Sequence, residues 1–390
     1  MATNFAAEIE REKYLFLESL RGLAALGVVL FHGGLPLAYE SPIVANGFAR
    51  NGYMFVDFFF VLSGFVIAYS YADRLKTRQQ VAAFQIRRAF RLFPLHLLTL
   101  FVFLGYELLL LAINAPLQVQ PFEANDGGAF FSHMFLLQGF TDASRTFNMP
   151  SWSISVEFYT YMLFAILMFA STNISRIFLD ITAVAIVISC GIYLSGFETV
   201  DFARETAFFR CIFAFFMGVL IHRVSKSVRI HSAAAPFFLC ITLIILTFRD
   251  SAIVPDLTFP PLFAIIVLCL VASGPSALKR ALNYPPLVRL GTYSYGVYLW
   301  HWPVFWILPL AVGVLKGIEP YIDPVLHDTF LPLSVVGQSV LLVLGIGLTL
   351  SLAKLSYRFV EKPCNEWGRR ITAGDVRVPQ AVSAPVRPAE

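Results

Sequence analysis

The sequence predicts an all-α polytopic membrane protein with about ten transmembrane helices and both termini cytoplasmic. Only 14% of its 390 residues are charged and 57% are hydrophobic, giving a mean hydropathy of +0.70. A soluble domain carries about a quarter charged residues. Apolar runs of span length recur, among them "ITAVAIVISCGIYLSG", "FFLCITLIILTF" and "SVVGQSVLLVLGIGLTLSLA", and none has the alternation of a barrel strand. Basic residues gather in particular loops, which sets the orientation. The net charge of +4 comes mostly from those loops and points to no nucleic acid. Five cysteines are scattered, four of them (Cys190, Cys211, Cys240, Cys269) inside apolar segments. Their spacing predicts neither a disulfide framework nor a metal site.

In chain order, residues 1–14 ("MATNFAAEIEREKY") carry acidic side chains and no cleavage site, so they read as a cytoplasmic N-terminus and not as a signal peptide. Spans follow at 15–36, 52–72, 91–113, 152–171, 176–196, 205–222, 233–248, 257–274, 290–312 and 333–356. The segment 73–91 holds six basic residues (Arg74, Lys76, Arg78, Arg87, Arg88, Arg91) and belongs in the cytoplasm, as do 223–229, 279–289 and the chain from Arg358. Segments 114–126 and 197–205 are acidic or neutral and fit the outside. The stretch "GGAFFSHMFLLQGF" at 127–140 is short for a span and contains His133 and Gln138. If it crossed, the basic loop 223–229 would fall outside, so an interfacial or re-entrant helix is expected. The membrane domain then covers 15–363. Residues 364–390 form a cytoplasmic tail, disordered from about Thr372, where Pro, Ala and Val dominate.

Several spans carry ionisable residues, which are costly in a bilayer and point to function by default. In "SLRGLAALGVVLFHGG", Arg21 and His32 are eleven residues apart. That spacing is three helical turns plus roughly 20°, so they share one face about 16 Å apart along the axis. Arg21 falls near the cytoplasmic surface and His32 in the outer half. Taken alone, Arg21 is equally an interfacial cation that snorkels, and His32 a packing histidine. Asp57, in "MFVDFFFVLSGFVIAYS", enters from the outside at a depth like that of His32. Pairing would orient the imidazole; an interhelical hydrogen-bond post is the plainer reading. The "LSG" at 62–64 offers a small residue for close helix approach. In "RRAFRLFPLH", Arg88 and Arg91 lie three apart on one helix face, either as positive-inside anchors or as forks for a polyanion. Glu157 sits six residues into "MPSWSISVEFYTYM", beside Trp152, Ser153 and Ser155, and needs His32 or an arginine as partner. The stretch "LGTYSYGVYLWHWPVFW" has a hydroxyl-rich inner half, with Tyr298, Trp300 and His301 about midway, where they suit a cavity lining.

Together, "LRGLAALGVVLFH", "VDFFFVLSGF", "RRAFRLFP", "WSISVEFY", "SYGVYLWHWP" and "SYRFVEKP" resemble, in order and over about residues 15–363, the acyltransferase family 3 proteins. These are bacterial integral-membrane enzymes that O-acylate glycans and other hydroxyl acceptors. The resemblance implies a ten-span protein of the bacterial cytoplasmic membrane. It places the family's R-x10-H pair on Arg21 and His32, with His32 catalytic, and its acyl-CoA-linked RxxR pair on Arg88 and Arg91. It departs from the family in "LESLRG", where many members have Asp-Gly before Leu-Arg. Some members append an extracytoplasmic hydrolase-like domain. For a chain ending soon after "EKP", the expectation is that the membrane domain or a separate partner serves the acceptor.

The expected chemistry is transfer of an acyl group, commonly acetyl, from acyl-CoA to a glycan hydroxyl. Arg88, Arg91 and Arg21 hold the donor's phosphates. His32 acts as general base or as acyl carrier, oriented by Asp57 or Glu157. Trp152, Ser155, Tyr298, Trp300 and His301 line the substrate channel. No metal is expected. The competing class is a transporter or flippase for a glycan or anionic substrate; the absence of an evident internal repeat weighs mildly against one built from inverted halves. The HxxxxD motif of other membrane acyltransferases is absent, since none of the seven histidines has Asp five positions later.

Overall fold

Long apolar runs fold as helices because a bilayer leaves the backbone no partner but itself, and even runs with an internal proline, at Pro94, Pro303 and Pro309, stay helical. The computed structural model describes residues 14–40, 47–112, 121–171, 176–196, 206–249, 253–317, 321–322 and 329–374. Its principal helices are α1 (Leu15–Glu40), α2 (Phe55–Tyr71), α3 (Arg78–Ala112), α4 (Gly127–Met134), α5 (Trp152–Ala170), α6 (Arg176–Ser195) and α7 (Ala207–Val224). There follow α8 (Ala234–Phe248), α9 (Phe259–Ala272), α10 (Ala277–Leu282), α11 (Pro285–Thr292), α12 (Ser294–Lys316), α13 (Val335–Ser356) and α14 (Lys362–Ile371). Among the described residues, seven helical stretches are long and apolar enough to cross a membrane, and α6, α8 and α9 contribute three shorter apolar ones. All lie on the segments the sequence marks as spans. Two residue pairs form a small antiparallel ladder, Tyr321–Ile322 against Thr329–Phe330, which hydropathy alone does not announce.

Small residues set the closest helix crossings. Gly64 of α2 and Gly218 of α7 face each other's backbone; a Cβ on Gly64 would collide with the carbonyl of Phe215, and one on Gly218 with that of Val61. The close approach read from "LSG" is therefore present, and its counterpart is a second glycine. Gly291 of α11 meets the backbone of Glu18 on α1 in the same way.

The helix α4 stops at Met134, after eight residues and about 12 Å, too short to cross. Beyond it the chain doubles back through three 3-10 turns (Gln138–Phe140, Asp142–Arg145, Met149–Ser151) into α5. Phe122, Leu136 and Phe147 in this region adopt positive φ (64°, 54° and 46°), unusual for bulky side chains. Side chains hold the strained turns in place. The Phe122 N–H donates to Glu107 at 2.9 Å, and Asn125 donates to the other oxygen of Glu107 while accepting the Phe147 N–H.

At the other end α3 runs 35 residues, about 52 Å, longer than the roughly 30 Å hydrocarbon core, so its basic first turns project beyond it. The helix α13 continues through a π-helical turn (Tyr357–Glu361) into α14, which packs against α3 through Trp367 on Phe90. Arg87 donates to the hydroxyl and carbonyl of Thr372. The chain is thus helical through Ile371, and of the expected disordered tail residues 375–390 lie outside the described residues.

Candidate functional site

A proline places the histidine end of the site. Pro303 has no N–H, so the carbonyl of Leu299, four residues back in α12, loses its helical donor. The side chain of Asn148 takes that place at 3.0 Å and also donates to Thr99 at 3.0 Å. Trp302 donates to the Phe147 carbonyl at 3.2 Å. The turns before α5 are therefore stitched to α12 at the level of His301.

There α12 meets α1. The rings of His32 and His301 lie 5.3 Å apart, centroid to centroid, and Trp302 stands edge-on to His32 at 4.9 Å. Both histidines are buried, His301 completely. The Nδ1 of His301 is 2.5 Å from the Tyr298 carbonyl. The Tyr298 hydroxyl donates to the Pro150 carbonyl and shares a 2.8 Å hydrogen bond with Ser153. Trp300 is buried within the main apolar cluster.

Asp57 has a different partner from the one expected. Arg210, on α7, donates Nε–H and Nη2–H to its two oxygens at 2.7 and 2.8 Å, and both side chains are almost wholly buried. The guanidinium lies over the Trp152 ring at 5.8 Å. Such a bidentate pair occupies the carboxylate. The pair makes Asp57 an ionic link between α2 and α7, the interhelical-post reading of the sequence with an arginine as its partner. The lone arginine in "AFFRCIFAFF" was the signal for this partner: one buried charge requires another. Ser155 is likewise committed to structure, donating to the Leu136 carbonyl and accepting from the Gly139 N–H.

Glu157 turns toward the arginines. It accepts from Tyr161 at 2.6 Å, and the Tyr161 ring forms one wall of an aromatic cage about Arg88. Tyr71, Phe84 and Tyr161 surround that guanidinium at 5.6–5.9 Å from their ring centres, and its Nε has no hydrogen-bond partner among the described residues. Arg91, three residues on, reaches Glu361 at 2.8 Å and lies over Tyr295 at 5.1 Å. Arg21 makes a looser pair with Glu18 at 3.8 Å, and Glu18 is within electrostatic range of Arg91. Arg369 of α14 is within range of Arg87, Arg88 and Arg91. Sequence reasoning missed Arg210, Tyr161, Asn148, Glu361 and Arg369; the "VEKP" stretch contained Glu361 without revealing its partner.

The site thus has two ends. A buried imidazole pair stands at one and a half-buried arginine cluster at the other. Along α12, His301 stands about 9 Å from Tyr295, against which Arg91 rests. Tyr298 lies between them on the helix, and Glu157 is within electrostatic range of both Tyr295 and Tyr298.

The family model described as an acyltransferase domain, of the acyltransferase 3 group, matches residues 14–354. The chain belongs to that family. Both histidines, Asp57, Glu157, Arg210 and the Arg88/Arg91 pair lie within the matched residues of this acyltransferase 3 chain, whereas Glu361 and Arg369 lie beyond them. It is 24% identical over 382 residues to the peptidoglycan O-acetyltransferase OatA of Listeria monocytogenes, covering 90% of this chain and 56% of that protein. It is 26% identical over 386 residues to the putative peptidoglycan O-acetyltransferase YrhL of Bacillus subtilis, covering 91% and 55%. A shorter match, 30% over 158 residues, is to the acyltransferase MdmB of Streptomyces mycarofaciens, covering 38% and 37%. The chain spans about half the length of the first two relatives. No solved structure matches it.

Proposed function

We propose that this chain is a membrane O-acyltransferase that moves an acetyl group from acetyl-CoA to a hydroxyl of a cell-surface glycan, with peptidoglycan the first acceptor to test. It does so as a ten-crossing domain with both ends in the cytoplasm. One observation carries the reading: His301, paired with His32, stands about 9 Å along α12 from Tyr295, the ring on which Arg91 of the Arg88/Arg91 cluster rests. A long anionic donor with a reactive tip needs that arrangement. Arg88, caged and with an Nε–H that has no partner among the described residues, grips the nucleotide phosphates with Arg91 and, farther along, Arg21. The pantetheine arm passes Tyr161, Glu157 and Tyr298, and the thioester meets His32, which serves as general base or acyl carrier. The names of the two longer-matching relatives support a glycan acceptor, and the aromatic cage supports a bound cation–phosphate contact over simple anchoring.

The test uses membranes containing the chain, radiolabelled acetyl-CoA, and peptidoglycan and other surface-glycan fractions, counting label in alkali-labile ester. Wild type transfers label, and His32→Ala at equal expression lowers transfer by about 10²-fold or more. Equal transfer by the two removes His32 from the chemistry. No donor consumption with any glycan refutes acyl transfer and moves the transporter reading to first place.

A further inference from the structure

The second histidine carries an inference that rests on the acyl-transfer reading and deepens it. The carbonyl of Tyr298 can only accept, so Nδ1 of His301, 2.5 Å away, carries the hydrogen and Nε2 holds the lone pair. His301 is 0% exposed, and its Nε2 has no hydrogen-bond partner among the described residues. Buried acceptors are nearly always satisfied, and one left open points to a group that binds there. The ring is held on three counts: the Tyr298 carbonyl fixes its tautomer, Pro303 and Asn148 fix the helix turn that bears it, and His32 lies 5.3 Å away. A basic nitrogen with its proton fixed on the far side is the arrangement of a general base.

We propose that His301 takes the proton of the acceptor hydroxyl through Nε2, and that His32 carries the acetyl group. In the first step a ring nitrogen of His32 attacks the thioester carbon, the C–S bond breaks, and coenzyme A leaves as thiolate. In the second the acceptor oxygen attacks the acetyl carbon, its proton passes to His301 Nε2, and the C–N bond breaks, returning the electron pair to His32. The His301 imidazolium then gives its proton to the thiolate. One thioester and one hydroxyl yield one ester and one thiol.

The experiment uses the full chain in membranes with radiolabelled acetyl-CoA and two acceptors, the glycan that wild type labels and hydroxylamine, which attacks acyl groups without a general base. His301→Asn keeps an N–H for the Tyr298 carbonyl and removes the base. It lowers glycan transfer by about 10²- to 10⁴-fold and leaves acetyl hydroxamate formation within about threefold of wild type. His32→Ala loses both products. Glycan transfer retained in His301→Asn overturns the proposal, as does equal loss of both products from a variant that still elutes as folded protein in detergent. If the asparagine variant does not fold, His301→Ala with added imidazole decides: saturable rescue of glycan transfer supports the base, and no rescue overturns it. A wild type that makes neither product overturns the acyl-transfer reading itself, a result distinct from every outcome for the variants.

Discussion

Replacing Asp57 with alanine removes the carboxylate that grips Arg210 inside the bundle and leaves Asp256 only within electrostatic range. The pair is bidentate at 2.7 and 2.8 Å, with side-chain exposures of 3% for Arg210 and 2% for Asp57, so water cannot screen what remains. Removing one member of a buried pair costs about 3–5 kcal/mol, because the surviving charge stays desolvated. That is a factor of roughly a hundred to several thousand in the folded ratio. For a chain of this size it lowers the melting temperature by about 4–6 °C. The pair also bridges α2 and α7, the helices whose glycines touch, so the loss spreads along one interface. The assay is a fluorescence-detected melt of the detergent-solubilised protein, with acetyl transfer measured per folded molecule. Asp57→Ala melts early, and the double variant Asp57→Asn with Arg210→Gln, which keeps an amide contact and removes both charges, regains most of the loss. Per folded molecule, transfer stays near that of wild type. A wild-type melt for Asp57→Ala together with abolished transfer would refute the reasoning and return Asp57 to the chemistry.

Two further outcomes follow from the same contacts. Arg88→Ala with Arg91→Ala raises the KM for acetyl-CoA by about tenfold or more through lost charge-assisted phosphate contacts and leaves the acceptor KM unchanged; steady-state kinetics with each substrate varied in turn detects the split, and an unchanged donor KM removes the clamp. Asn148→Ala leaves the Leu299 carbonyl without a donor and destabilises the fold by about 1–3 kcal/mol, whereas Asn148→Gln relieves part of it; a melt of the two variants checks the order.

The helices were legible because apolar length is a strong signal in a chain that is 57% hydrophobic, and the shortness of the stretch 127–140 is matched by an eight-residue helix. The unusual residues were legible too: Arg21, His32, Asp57 and Glu157 each stood out as ionisable groups in apolar runs. Partners were not, because they come from which helix faces which. Asp57 and His32 were expected at one depth, yet α7 sets Arg210 against Asp57. Glu157 had an arginine among its possible partners and reaches Arg88 through Tyr161, one turn along its own helix. The Arg88/Arg91 spacing put both on one face, but whether that face met lipid headgroups or protein was decided by α14 and the π-helical turn. Their residues are polar enough to read as tail.

Pro303 has a consequence for how such chains can be recombined. It unzips one carbonyl of α12, and a side chain 151 residues earlier in sequence closes the gap. Positions 148 and 303 are therefore two halves of one joint. A surface segment exchanged between relatives keeps the imidazole pair in place only if it brings an amide donor to the same socket. Proline and asparagine would have to travel together, as parts of a single inherited unit.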